Sequence, residues 1–484
     1  MKFNYNLPRT FFPSIVSCVV IFWVFFTGCK KFVEIGPPQT QLVTASVFDN
    51  GSTATSAQTN IYTQMANYDE SYNLALYSGM LADELTNYSN YVYIKDYYTN
   101  SMNASSGLVF GRWQFYYLYI YQANAIISAL QGNSNISQPI AQQLIGESKF
   151  IRAFWLFYLT NCYGDVPIVT TTDYTTNNFI SRSTQTQVYQ QIILDLSQSI
   201  LLLNSNYIDN SDTAITTERT RPNKAAAEAL LARVYLYTGK YDSAELLATE
   251  VINNNLYQLC PSLNNVFLAN STEAIWQLSI PLPTSFNTDD GQAFILSGAP
   301  STTSSATGNC TTISPQLLNA FELGDLRRAN WIDSTTNTTP AYYFPYKYKS
   351  HNTSTVTEYV MMFRLAEQYL IRSEAEAITG DSADAITDLN VIRARAGLGN
   401  YLPANQGPLL VAILHERQVE LFTEWGHRWF DLIRTGAIDT VMGSSGNVYK
   451  AKGGTGSWNS DWDLYPISTA QIALDPNLTQ NPGY

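Results

Sequence analysis

Residues 221–255, RPNKAAAEALLARVYLYTGKYDSAELLATEVINNN, decide the predicted fold because they describe two helices separated by one turn. Pro222 stands near the start of the first helix, where its missing N–H costs least. Apolar side chains then recur at steps of three and four residues. They are Ala226, Leu230, Val234 and Tyr237 before the turn, and Ala244, Leu247, Val251 and Ile252 after it. Thr238-Gly239-Lys240 interrupts this spacing, so the stretch predicts a helical hairpin.

The same turn pattern occurs a second time. Gly239–Ala244 reads GKYDSA and Gly380–Ala385 reads GDSADA, and both match the turn of the tetratricopeptide repeat. Because one hairpin cannot bury its own apolar face, the intervening chain must cooperate with both copies. The sequence therefore predicts a mainly α fold, a tetratricopeptide-like scaffold of helical hairpins. Both glycines are expected in left-handed turns between helices.

Helical spacing continues on both sides of a less regular region. The predicted helices include 57–80, 188–203, 363–379, 381–396 and 409–424. Between about 260 and 361 the spacing fails, and short apolar runs alternate with Ser-, Thr- and Asn-rich loops. We expect the short strands of the fold to lie largely in this loop-rich insert. Loops positioned by a rigid scaffold commonly carry binding residues.

The composition argues against an anionic ligand. Only 14% of the 484 residues are charged, against about a quarter in an average domain, and the formal net charge is −12. The sequence has no basic run or stripe, so nucleic acid is not an expected partner. An acidic surface would also repel anions. A neutral ligand rich in hydroxyls or amides suits this chain and its 33 tyrosines better.

The N-terminus is typical of an exported protein. Lys2 and Arg9 precede an apolar run over 11–26, and Gly28 stands directly before Cys29. This arrangement resembles a bacterial lipoprotein signal, which implies a signal peptide of residues 1–28 and lipidation of Cys29. A plain transmembrane anchor is the alternative, but the run is short for a bilayer.

Two parts of the chain have the composition of a sugar site. Residues 83–93 combine tyrosines, amides and carboxylates, and further aromatic residues follow in the loop-rich insert. Aromatic rings can stack on the apolar faces of sugars while polar groups bind hydroxyls. The candidate ligand-binding residues are Asp83, Asn87, Tyr88, Tyr91, Tyr93, Trp331, Tyr342 and Tyr343. The alternative is an ordinary tyrosine-rich packing loop.

The sequence offers little for catalysis or metal binding. His415-Glu416 begins a zinc-protease pattern, but Val419 stands where the second histidine is needed. We therefore expect no catalytic residue, no metal and no cofactor. The enzymatic alternative is an all-helical glycoside hydrolase that uses the adjacent carboxylates of Asp83 and Glu84. A third possibility is a tetratricopeptide-type scaffold for protein partners.

Three cysteines remain in the body of the chain. Cys162, Cys260 and Cys310 lie far apart and in no spacing typical of a metal site. They allow at most one disulfide, and three buried free thiols are the alternative.

Several short motifs, taken in order, resemble one family over nearly the whole mature chain. They are GESKFIRA at 146–153, YGDVP at 163–167, RLAEQYL at 364–370, LNVIRARAG at 389–397, ERQVEL at 416–421, GHRWFDLIR at 426–434 and NPGY at 481–484. With the lipoprotein-like start, they resemble the SusD/RagB lipoproteins of Bacteroidetes outer membranes. On that resemblance, 29–265 is an N-terminal SusD-like helical region. Residues 266–484 are then a C-terminal SusD/RagB region that holds the insert and a helical hairpin.

The resemblance implies a function that the residues alone do not give. A SusD-like protein is lipid-anchored in the outer membrane, faces the exterior and lies as a lid on a SusC-like TonB-dependent barrel. It captures an oligosaccharide or peptide and passes it to that transporter without catalysis. The charged motif residues are instead expected to be paired at buried joints between hairpins. They are Arg393, Arg395, Glu416, Arg417, Glu420 and Arg428.

Overall fold

The N-terminal part of the fold is a succession of packed helices. The computed structural model describes residues 47–68, 70–280, 286–304, 308–444 and 446–484, and the predicted signal peptide 1–28 and Cys29 lie outside these ranges. The first elements are α1 (Gly51–Asn67), α2 (Glu70–Leu81), β1 (Leu85–Asn87), α3 (Val92–Tyr98), α4 (Gly107–Leu130), α5 (Gln138–Tyr163), α6 (Tyr174–Asn177), α7 (Gln185–Leu202), α8 (Lys224–Tyr237) and α9 (Tyr241–Ile252). The predicted helix 57–80 is therefore two helices, α1 and α2.

The C-terminal part begins with short elements and returns to long helices. It contains β2 (Ala274–Leu278), α10 (Asp289–Phe294), β3 (Thr311–Ile313), α11 (Pro315–Ala320), α12 (Leu326–Asn330), β4 (Ile332–Ser334), β5 (Tyr343–Pro345), β6 (Val360–Arg364), α13 (Leu365–Thr379), α14 (Ser382–Arg395), α15 (Pro403–Gln406), α16 (Leu409–Leu421), α17 (His427–Arg434), α18 (Val448–Ala451) and α19 (Thr469–Leu474). Residues 48–484 form one compact unit. Within the described ranges, no helix has the length and hydropathy needed to cross a membrane.

Two helical hairpins, α8–α9 and α13–α14, form the scaffold as the sequence predicted. Gly239 and Gly380 end the first helix of each hairpin with φ of 68° and 107°. Glycine adopts this left-handed region without a side-chain clash. Ala244 of α9 and Ile371 of α13 belong to one buried apolar cluster, so the hairpins stack on each other. The prediction of a mainly α, tetratricopeptide-like scaffold is confirmed.

Three two-stranded antiparallel sheets occur in the part of the chain that the structure describes. β1 pairs with β3, and Leu85 lies opposite Ile313 in this sheet. That pairing joins the predicted ligand segment 83–93 to the loop-rich insert. Residues 360–364, whose last two positions were predicted to be helical, form β6 and pair with β2. A short apolar run fits a strand as well as a buried helix.

The predicted charges are buried and paired, but their contacts join α16 and α17 to neighbouring elements rather than one hairpin to the other. Glu420 accepts hydrogen bonds from Arg327 and Arg364 at 3.0 and 2.6 Å, and it also pairs with Arg395. Burial by itself would raise the pKa of Glu420, but these guanidinium groups hold it well below its usual range. The other predicted charges are paired as well: Arg393 with Glu416, Arg417 with Asp431, and Arg428 with Asp83. Because an unpaired buried charge is costly, these contacts specify how the helices meet.

The three cysteines of the body are buried free thiols. Cys162, Cys260 and Cys310 form no disulfide with one another. Of the two alternatives that the sequence allowed, the structure has the separate thiols.

Candidate functional site

Residues 87–90 form a tight turn that is fastened to the loop-rich insert. The Asn87 Oδ1 accepts a hydrogen bond from the Ser89 N–H at 2.9 Å, and Asn87 Nδ2 donates to the Ser89 carbonyl at 3.0 Å. The Tyr88 N–H donates to the Cys310 carbonyl at 2.8 Å, which continues the pairing of β1 with β3. The Ser89 hydroxyl donates to the Ser304 carbonyl at 2.6 Å. Asn87 is therefore a turn residue, and it gives the candidate segment a fixed backbone.

Four of the predicted tyrosines form two ring pairs on this turn and its neighbouring loop. Tyr88 and Tyr342 meet edge to face, with centroids 5.6 Å apart and an interplanar angle of 89°. Tyr91 and Tyr93 form the second pair at 5.5 Å and 74°. Tyr91 is 39% exposed, and the other three rings are half-buried. We call these four side chains the aromatic site.

Tyr343 lies next to Tyr342 in sequence but apart from the aromatic site. Adjacent side chains of an extended chain point to opposite sides. Its ring is exposed and lies 4.7 Å from the Arg328 guanidinium carbon. Within the described ranges it makes no ring contact with the four tyrosines of the aromatic site, so its role in binding stays a prediction.

The prediction that Trp331 contacts a ligand is wrong in this structure. Trp331 is fully buried, and its indole N–H donates to the Leu263 carbonyl at 3.0 Å. The ring packs edge to face on Phe267 at 5.9 Å and lies 4.8 Å from the Lys347 Nζ. A ring enclosed in this way has no free face for a sugar, so Trp331 is a core residue.

The surroundings of Asp83 do not support its prediction as a ligand contact. Its two carboxylate oxygens accept hydrogen bonds from Arg428 Nε and Nη2 at 2.8 and 2.7 Å. The side chain is 7% exposed. Because α17 supplies Arg428, this ion pair fastens the start of the 83–93 segment to the helical scaffold. This pairing leaves Asp83 little surface for a ligand, and we interpret Asp83 as a residue that positions the aromatic site.

Glu84 gives no support to the hydrolase alternative. Its side chain is buried, and burial followed by the nearby charge of Asp83 raises the pKa of Glu84 to about 8. A glycosidase needs two carboxyl groups that flank a sugar bond. Asp83 and Glu84 are both enclosed by protein, so this pair cannot take that position.

Lys452 is a positioning residue that the sequence analysis missed. Its buried Nζ donates to the carbonyls of Met80, Leu81 and Ala82 at 2.9, 2.6 and 3.1 Å. Burial lowers the pKa of Lys452 well below its usual value. The lysine thus caps the C-terminus of α2 directly before Asp83. No local signal could have revealed a contact between residues 372 positions apart.

The helical hairpins and the tyrosine pairs on the loops define the class of this protein. It is an α-helical repeat protein whose inserted loops carry a candidate binding site made of aromatic rings. A family model described as "SusD family" matches residues 327–484. A second, described as "Starch-binding associating with outer membrane", matches residues 31–236. The chain belongs to the SusD/RagB family.

The similarity to related proteins and to solved structures extends over most of this chain. The chain is 28% identical over 431 residues to SusD-like protein P2 of Formosa agariphila, covering 79% of this chain and 82% of that protein. A SusD superfamily protein from Bacteroides vulgatus superposes with a TM-score of 0.76 at 20% identity, over 90% of this chain and 99% of that one. A laminarin-binding SusD-like protein superposes with a TM-score of 0.72 at 22% identity, over 90% and 100% of the two chains. At these identities, the structural matches show the fold.

Proposed function

We propose that this protein is a cell-surface, lipid-anchored binding protein that captures a neutral oligosaccharide and passes it to a SusC-like TonB-dependent transporter. The observation that carries the proposal is the edge-to-face contact between Tyr88 and Tyr342 at 5.6 Å, in which Tyr88 belongs to the segment that also bears the exposed Tyr91. Ring faces and phenol hydroxyls together suit sugars, which offer apolar C–H faces and many hydroxyls.

Three further observations support parts of the proposal. One solved structure with the same fold is named for laminarin binding, which favours a glucan-type ligand. The family model over residues 31–236 is described as starch-binding and associated with the outer membrane. The sequence around Cys29 resembles a lipoprotein signal, which supports the lipid anchor. Delivery to a TonB-dependent barrel follows from the family resemblance.

Alanine substitution of rings in the aromatic site tests the binding step. Loss of an aromatic anchor at an interface commonly costs about 1–3 kcal/mol, which weakens binding roughly tenfold or more. We therefore expect Tyr88→Ala, Tyr91→Ala or Tyr342→Ala to weaken oligosaccharide binding by that factor. Calorimetry with laminarihexaose, maltohexaose and xylohexaose on the purified protein measures the change.

The design requires that folding be unchanged. The four rings lie at the surface or half-buried, so melting temperatures should stay close to that of the parent. Leu246→Ala removes an exposed apolar side chain outside the aromatic site and is the control. If all three tyrosine variants bind as the parent does, or if those that lose binding also melt early, the aromatic site is not the binding site.

A further inference from the structure

A groove in the protein surface is lined by residues that do not belong to the aromatic site. It has a volume of about 670 Å³ and lies between α4, residues 167–178 and the C-terminal segment 471–478. We call it the α4 groove. The lining residues that matter most for its chemistry are Trp113, Gln114, Tyr121, Tyr174, Asn178 and Gln471. The volume falls in the range of about 300–1,000 Å³ that is typical of small-ligand sites.

The floor of the α4 groove is a set of fixed rings. Trp113 packs between Tyr117 and Tyr163, with centroid distances of 5.1 and 5.0 Å. The Tyr117 hydroxyl donates to the Pro167 carbonyl at 2.8 Å, which ties α4 to the opposite wall. These contacts hold the floor in one arrangement without a ligand.

The rim offers free rings. Tyr121 is 50% exposed and Tyr174 is 72% exposed, and both line the groove. Neither side chain has a hydrogen-bond partner among the residues that the structure describes. Exposed tyrosines of this kind combine a face for stacking with a hydroxyl for hydrogen bonding.

Hydrogen-bonding groups in the groove are also unused. The side-chain amides of Gln114, Asn178 and Gln471 make no hydrogen bond within the described ranges. The Trp113 indole N–H likewise has no partner there, and its nitrogen is not among the enclosed polar atoms that lack one. This donor is therefore open to water or to a ligand in the groove.

The charge of the lining selects the ligand class. Asp475 is the only acidic or basic side chain among the described residues that line the groove. A phosphate or carboxylate ligand would therefore find no cation in this lining, whereas a neutral ligand needs none. Rings, apolar contacts and unused amides, with one carboxylate, are what a chain of sugar units requires.

Hydrogen bonds join the three elements that surround the α4 groove. The groove can therefore receive a ligand without a rearrangement of the protein. Asn124 of α4 donates to the Val169 carbonyl at 3.0 Å. Arg182 donates to the carbonyls of Asp165 and Thr479 at 2.7 and 2.9 Å. These two bonds link the chain beside residues 167–178 to the C-terminal segment. Preorganised walls reduce the conformational freedom that a ligand must remove on binding.

We propose that the α4 groove is a second binding site for a neutral oligosaccharide, separate from the aromatic site. The inference shares its ligand class with the proposed function but rests on a different set of residues. Two sites on one chain would let the protein hold a long glycan at two points, which raises the effective concentration at each.

Paired variants separate the two sites. Calorimetry of the full-length protein with laminarihexaose, maltohexaose and xylohexaose should show two binding sites per chain for at least one probe. The double variant Tyr121→Ala/Tyr174→Ala should weaken binding at the α4 groove about tenfold or more and leave binding at the aromatic site unchanged. Tyr88→Ala with Tyr342→Ala should do the reverse. Leu246→Ala, an exposed residue on α9, is the control and should preserve both sites.

Each other outcome decides against one proposal or both. A single site that only the Tyr88 and Tyr342 variants remove overturns the α4 groove and leaves the proposed function standing. A single site that only the Tyr121 and Tyr174 variants remove overturns the aromatic site instead. Binding of none of the three probes overturns both. Groove variants that bind sugars normally but no longer co-purify with a membrane barrel would make the groove a protein contact, which also overturns the inference.

Discussion

The Asp83–Arg428 ion pair offers a direct test of whether this carboxylate positions the aromatic site or contacts a ligand. Its hydrogen bonds are 2.7 and 2.8 Å long, and the two side chains are 7% and 15% exposed. Removing one partner of a buried pair costs about 3–5 kcal/mol, because the remaining charge stays uncompensated. Since Arg428 keeps some contact with solvent, we expect the lower end of that range, about 3 kcal/mol, for Asp83→Asn.

A double-mutant cycle measures the coupling free energy between Asp83 and Arg428. Arg428→Gln alone should cost a similar amount, and the double variant should cost little more than either single change. The expected coupling is about 2–3 kcal/mol. Urea unfolding followed by tryptophan fluorescence measures all three variants. Asp381→Asn is the control, because this aspartate is exposed and stands at a helix start where asparagine serves equally well. It should change the free energy of unfolding by less than about 0.5 kcal/mol.

Binding to the same variants separates the two roles of Asp83. At a temperature where the variant is fully folded, Asp83→Asn should retain oligosaccharide binding, weakened only as far as the loop has shifted. A variant that unfolds at the same urea concentration as the parent but no longer binds would refute this reasoning and return Asp83 to the ligand site. Simple addition of the two single effects would show that the pair is not coupled.

Two further predictions concern stability in acid and the membrane anchor. Burial by itself would raise the pKa of Glu367, but Arg233, which donates to it at 2.6 Å, lowers it to about 2. Because the unperturbed value is 4.5, the pair stabilises the fold above that pH and loses its contribution as the pH falls toward about 2. The stability difference between the parent and Glu367→Gln should shrink over this interval in urea unfolding, and a constant difference would contradict the assignment. Cys29→Ala should abolish fatty-acid incorporation and remove the protein from the outer membrane; labelled lipid on the variant would disprove the lipoprotein interpretation.

The helical hairpins could be predicted because their signals are local. Gly380 has φ of 107° and no atom within 4 Å of an added Cβ, so its backbone conformation alone accounts for glycine at this turn. Strand β6 was harder, because Val360–Arg364 is a short apolar run whose partner, β2, lies far away in sequence. A local period cannot distinguish a buried strand from a buried helix at that length.

The candidate site shows more clearly that local sequence signals cannot predict features set by distant parts of the chain. Trp331 and Tyr342 lie in one loop-rich stretch and look alike in composition, yet one ring is core and the other is half-buried at the surface. Trp331 is enclosed by Phe267 and Phe422, which come from separate parts of the chain. Burial is set by such long-range partners, so composition alone could identify an aromatic-rich loop but not its exposed rings.

Both loops that carry the aromatic site are fastened to one short segment, residues 420–428. Arg428 holds Asp83, just before β1. Lys347, just after β5, donates to the Glu420 carbonyl at 2.8 Å and pairs with Glu424. The meeting of Tyr88 and Tyr342 therefore depends on the corner between α16 and α17. Because rings held in place lose less freedom on binding, we expect these buried charges to affect the affinity of the proposed site, although they do not touch it.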